Sequence, residues 1–133
     1  MYILDTNVIS AVRRPDRAPQ VAAWLRGKAE QDLYLSVITL GEIERGIRQQ
    51  EARDAAFARD LRAWLDRTVL LFSDRLLAFE AEDARIWGRL SAELGHNGAD
   101  LMIAASALRR GATVVTGNVS DFAPTRAFVE NPF

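Results

Sequence analysis

"MYILDTNVIS", residues 1–10, runs an apolar triplet straight into an acid, Asp5, and then into Thr6 and Asn7. Tyr2-Ile3-Leu4 reads as a short buried strand, and the helix that begins at Asn7 follows without a linker. A strand handing over at once to a helix is the opening unit of an alternating α/β chain. Taken alone, Asp5 is as well explained as the cap of that helix. Whether it does more depends on whether other acids reach the same sheet edge.

The alternation continues down the chain. "RAPQVAAWLRGKA" has Val21, Trp24 and Leu25 at helical spacing, and "LYLSVI" (33–38) reads as a second strand. "TLGEIERGIRQQ" follows as a helix opened by a capping box of Thr39 and Glu42. "DAAFARDLRAWLDR" carries Phe57, Leu61, Trp64 and Leu65 on one helical face, and "VLLF" (69–72) reads as a third strand. Ser73-Asp74 then opens a long helical region that runs to Leu94 and breaks at "LGHNG". "ADLMIAASALRRG" is a buried helix closed by Gly111, "TVV" (113–115) a fourth strand, "TGNVSDF" a loop and "AFVE" a short last strand. Strands separated by helices predict a three-layer α/β/α sandwich with a central parallel sheet of four to five strands. No repeat or linker divides the chain, so residues 1–133 are expected to form a single domain.

Composition narrows the function. Apolar residues make up 49% of the chain, enough for a real core. There is no cysteine, which excludes disulfides, thiolate zinc sites and thiol catalysis. No apolar run approaches a membrane span and no signal peptide opens the chain, so a cytoplasmic protein without membrane attachment is expected. Seventeen basic residues against eighteen acids give a net charge of −1, which argues against a nonspecific nucleic-acid coat. Lys28 is the only lysine; all the other basic residues are arginine, a side chain suited to bidentate phosphate contacts. If four acids are gathered into one pocket, the remaining surface is net basic, so an RNA substrate stays open.

Four acids fall where ligands gather in such a sheet, beyond the carboxyl ends of the strands. Asp5 ends the first strand, Glu42 lies in the helix after the second, Asp100 opens the "ADLMIAASAL" helix and Asp121 lies in the loop after the fourth strand. Clustered carboxylates repel and raise one another's pKa values unless a cation holds them. Oxygen-only ligands suit Mg²⁺ or Mn²⁺, ions that bind phosphates and activate water. Each acid also has a plainer reading: Asp5 as a cap, Glu42 in its capping box, Asp100 favoured by the helix dipole, Asp121 as turn chemistry. His96 reads as a solvated loop residue, the Arg45/Arg48 and Arg109/Arg110 pairs as exposed helix faces, and Trp24, Trp64 and Trp87 as core stripes. A haloacid-dehalogenase-type phosphatase would want a second acid where Asn7 stands, and a receiver domain would want a lysine late in the chain.

The whole pattern resembles a known family. "LDTNVIS", "SVITLGEIERGI", "ADLMIAASALRRGATVVTGNVSDF" and the final "NPF", in that order, look like VapC-type PIN domains, in particular the FitB-like members. The resemblance implies a Mg²⁺- or Mn²⁺-dependent endoribonuclease that cuts structured RNA, often tRNA or ribosomal RNA. It implies the toxin of a toxin–antitoxin module, a homodimer inhibited by a small antitoxin and meeting DNA only through that antitoxin. Carried over by position, Asp5, Glu42 and Asp100 match the family's acidic site, Thr116 a hydroxyl at the end of the fourth strand and Asn7 a supporting polar position. Where many relatives carry an acid two residues after that threonine, this chain has Asn118, and Gly117 stands where a basic residue is common. The fourth ligand therefore lies between Asn118 and Asp121. A partner-binding module of the same fold with an incomplete site is the non-enzymatic alternative.

Overall fold

The computed structural model describes residues 1–133. Five short strands, β1 (Tyr2–Leu4), β2 (Leu33–Ser36), β3 (Leu76–Leu77), β4 (Thr113–Val115) and β5 (Phe128–Glu130), form one sheet. Seven helices surround it: α1 (Thr6–Val12), α2 (Pro19–Arg26), α3 (Val37–Glu51), α4 (Ala55–Leu71), α5 (Ala81–Leu94), α6 (Ala99–Arg110) and α7 (Val119–Phe122). The strand order is β3-β2-β1-β4-β5 and every pairing is parallel, with Tyr2 opposite both Leu33 and Thr113. The order reverses between β1 and β4, which places the topological switch point beside Asp5.

Side-chain alternation builds the layers. Successive strand residues point to opposite faces, so Leu4, Leu35 and Val115 join Val8, Ile9, Ile43, Ile47 and Leu65 of α1, α3 and α4 on one side. Ile3 and Val114 join Leu90, Ile103 and Ala104 of α5 and α6 on the other. Both faces are covered, as parallel sheets require, and the α/β/α sandwich expected from the alternation is the observed fold. No helix is long and apolar enough to cross a membrane.

Local differences from the expected elements have clear physical reasons. The second strand ends at Ser36, two residues early, because the Ser36 hydroxyl accepts the Ile38 amide at 3.0 Å and starts α3 there. The expected Thr39–Glu42 capping box is therefore absent. Thr39 is fully buried and its hydroxyl has no partner. "VLLF" is not a strand: residues 69–71 are the last turn of α4, with Leu70 and Leu71 75% and 60% exposed, and Phe72 is its C-cap. The third strand lies at Leu76–Leu77, and α5 starts only at Ala81, where Glu80 and Asp83 form a capping box. The connection between α4 and β3 is held by Arg75, whose buried guanidinium donates to the carbonyls of Glu30, Leu33 and Leu71 at 2.7–2.9 Å. Within the expected 116–122 loop, Val119–Phe122 close a helical turn.

The Arg109/Arg110 pair is not an exposed face either. Both guanidiniums reach the fully buried Asp83 carboxylate, at 2.8 and 3.0 Å, and tie the end of α6 to the start of α5. Burial works against the Asp83 charge, but Arg109, the Glu80 amide and Arg110 outweigh it and hold the carboxyl below its ordinary value.

Candidate active site

Asp5 is fixed from both sides. Its amide donates to Val115 in the neighbouring strand at 2.9 Å, and its carbonyl receives the first amides of α1, Val8 and Ile9. Its side chain is 6% exposed yet accepts three hydrogen bonds. Oδ1 takes the Thr6 amide at 2.8 Å, and Oδ2 takes the Thr116 hydroxyl at 2.7 Å and Asn7 Nδ2 at 3.3 Å. Asp5 is thus a helix cap and the centre of a polar network at once.

Thr116, fully buried at the end of β4, is the hub of that network. Besides donating to Asp5, its oxygen accepts Asn7 Nδ2 at 3.1 Å and the Asn118 amide at 3.0 Å. Asn7 Oδ1 accepts the Gly117 amide at 3.1 Å, so the ends of β1 and β4 are stitched together. These bonds orient a carboxylate that burial disfavours. Desolvation raises the Asp5 pKa, the Thr116 and Thr6 hydrogen bonds only partly offset it, and the charges of Asp100 and Asp121 raise it further.

Asp5, Glu42, Asp100 and Asp121 all line one cleft of about 530 Å³, together with Asn7 and Asn118. Thr116 supports this cleft from beneath through Asp5. Glu42 projects from α3, exposed, and accepts the Thr6 hydroxyl at 2.7 Å. Asp100 sits in the first turn of α6 and Asp121 in α7, where the Asp121 amide closes on the Asn118 carbonyl at 3.1 Å. Asn118 and Asp121 therefore share one helical turn facing the cleft.

Two residues join the site without a signal in the sequence pattern. His96 lines the cleft, its Nδ1 accepting the Gly98 amide at 3.3 Å. Gly98 lies against Asp100: a Cβ there would sit 2.6 Å from Asp100 Oδ1 and push that carboxylate aside. The only hint was position: "LGHNGAD" places both just ahead of Asp100.

No three of the acids and His96 converge tightly enough, as arranged here, to grip an ion among themselves. The donor set is nonetheless oxygen-rich, and burial together with Asp100 and Asp121 disfavours the Asp5 charge, a cost that a cation in the cleft would offset. Mg²⁺ keeps several waters and is bound through one or two carboxylates, so the residues present fit such an ion.

The PIN domain model matches residues 2–123, from β1 through α7. The chain belongs to the PIN domain family. Its relatives include ribonuclease VapC14 of Mycobacterium tuberculosis, 46% identical over 69 residues, covering 52% of this chain and 67% of that protein. Toxin FitB of Neisseria gonorrhoeae is 33% identical over 139 aligned positions, covering 100% of this chain and 99% of the relative. The crystal structure of FitAcB from the same organism superposes with a TM-score of 0.85 at 33% identity, over 99% of this chain and 98% of that one. The five-strand parallel sheet with its cleft at the switch point is thus a PIN fold.

Proposed function

We propose that this PIN domain is a Mg²⁺- or Mn²⁺-dependent endoribonuclease, the toxin of a toxin–antitoxin pair, hydrolysing phosphodiester bonds in structured RNA of the tRNA or ribosomal class. The observation that carries the reading is the buried, hydrogen-bonded Asp5 facing Asp100 and Asp121 across one cleft. A ribonuclease and a toxin among its relatives support it. The protein is proposed to act in the cytoplasm as a homodimer, silenced by a cognate antitoxin whose basic segment enters the acidic cleft and which carries the DNA contacts.

Asp5 and Asp100 would hold the ion, with Glu42 and Asp121 supplying further charge at the rim. Bound there, a divalent ion lowers the pKa of water and offsets the charge of the phosphate. The chain does the rest. Thr116, Asn7 and the Thr6 amide fix both oxygens of Asp5, leaving the free lone pair on Oδ1. Thr6 holds Glu42 at the edge of the cleft, where its carboxylate can accept a proton from water. No cysteine exists and the lone histidine has no serine partner in the cleft.

The purified protein is expected to cut tRNA or ribosomal RNA with Mg²⁺ or Mn²⁺ and to stop in EDTA. Undiminished cleavage in EDTA would refute the metal-dependent mechanism. The neutral Asn118 in the cleft favours one rival, a partner-binding PIN domain without activity, which predicts antitoxin binding and no cleavage under any metal.

A further inference from the structure

We propose that the ring of Phe133 is a stacking platform for a nucleobase of the RNA at the rim of the cleft. The inference rests on the ribonuclease reading. It starts from a difficulty in that reading: a pocket lined by four carboxylates repels a polyanion. Contacts outside the pocket, arginine to phosphate and aromatic face to base, then have to supply affinity.

Two phenylalanines are largely exposed, Phe128 at 68% and Phe133 at 51%. Phe128 pairs with Thr113 at the start of the strands, the sheet edge opposite the cleft. Phe133 is on the cleft side. Its ring lies against Gly117 so closely that a Cβ there would sit 2.9 Å from Cδ2 and 3.1 Å from Cε2. Gly117 is one residue from Thr116 and one from Asn118, and its amide is bonded to Asn7 at 3.1 Å. The ring is therefore seated two hydrogen bonds from the Asp5 carboxylate.

The backbone leading into the ring is tied down. Pro132 before it is buried, and the Phe133 amide donates to Asn131 Oδ1 at 2.9 Å. An aromatic that served packing alone would gain by burying the rest of its surface, at about 25 cal/mol per Å². Here the ring is left half open against Gly117, next in the chain to Thr116 and Asn118. A base stacked on an aromatic side chain contributes about 1–3 kcal/mol, largely regardless of its identity. Unpaired bases in loops are the parts of structured RNA that present a free face.

The test measures binding of a fluorescein-labelled hairpin RNA with an unpaired loop, in Mg²⁺, by an Asp5→Asn protein that does not cleave it. Adding Phe133→Leu should weaken binding about five- to a hundredfold with little change in melting temperature, and Phe133→Trp should restore it. Removing one particular loop base should cost the Phe133 protein a similar factor and cost the Phe133→Leu protein almost nothing more. Equal affinity for Phe133→Leu and its parent, or an unchanged penalty for every missing base, would overturn the stacking role while leaving the nuclease reading intact. Absence of hairpin binding by both the parent and the wild-type protein in Mg²⁺ would overturn both.

Discussion

The Thr116 hydroxyl donates to Asp5 Oδ2 at 2.7 Å, joining two strand ends 111 residues apart in the chain. This bond both aims the carboxylate and eases its ionisation. Thr116→Val should keep the buried volume yet leave Asp5 harder to ionise. RNA cleavage is expected to fall at least tenfold at neutral pH, with the acid limb of the pH–rate profile moved to higher pH. Thr116→Ser should restore most of the activity. A profile identical to wild type in Thr116→Val would remove Thr116 from the site.

Metal-free stability should depend on the repulsion in the cleft. The folded Asp5 pKa is raised above the 3.8 of an unperturbed carboxyl. As pH rises past 3.8, the unfolded chain loses that proton first, so Asp5 subtracts stability from there up to its folded pKa and the deficit persists at neutral pH. Asp100→Asn removes one source of the shift and breaks no side-chain hydrogen bond. In EDTA at pH 7 it should melt no lower than wild type, and up to a few degrees higher. In saturating Mg²⁺ the order should reverse, because wild type gains more from the ion. A lower melting point for Asp100→Asn in EDTA would make Asp100 a structural cap.

Asp83 has the opposite sign. Its folded pKa is depressed, so its contribution is complete above 3.8 and is lost as pH falls through the folded value. Asp83→Ala would strand two arginines and the Glu80 amide, costing about 3 kcal/mol at neutral pH. Thermal melts at pH 7 and below pH 3 should show that penalty shrinking on the acid side. A constant difference across that range would contradict the assignment.

The fourth charge in the cleft is expected to come from Asp121 and not from Asn118. Asn118 offers a neutral carbonyl oxygen, a weaker partner for a hard dication than a carboxylate. Asp121→Asn should raise the Mg²⁺ concentration for half-maximal cleavage, Asn118→Ala should change it less, and Asn118→Asp should lower it. The reverse ranking in a metal titration would give the position to Asn118.

Much of this arrangement is legible in the sequence because it is local. An apolar triplet followed by Asp5, a helix closed by Gly111 and a "TVV" strand each carry their own signal. The gathering of Asp5, Glu42, Asp100 and Asp121 follows from parallel topology, which brings strand ends together. Sequence pattern and structure part where local signals are degenerate. "VLLF" has no periodicity to separate a helix end from a strand, and Ser36 and Thr39 are both plausible caps. What stayed invisible is pairing across long separations: Thr6 with Glu42, Asp83 with Arg109 and Arg110, His96 with the cleft. No spacing rule reaches across such gaps.

The central claim is that a cleft built around Asp5 cuts RNA, and mapping cellular RNA 5′ ends after brief induction tests it most directly. Wild-type protein should create new ends at a small set of sites in tRNA or ribosomal RNA, and Asp5→Asn at matched abundance should create none. The same new ends from Asp5→Asn, or none from wild type, would contradict it.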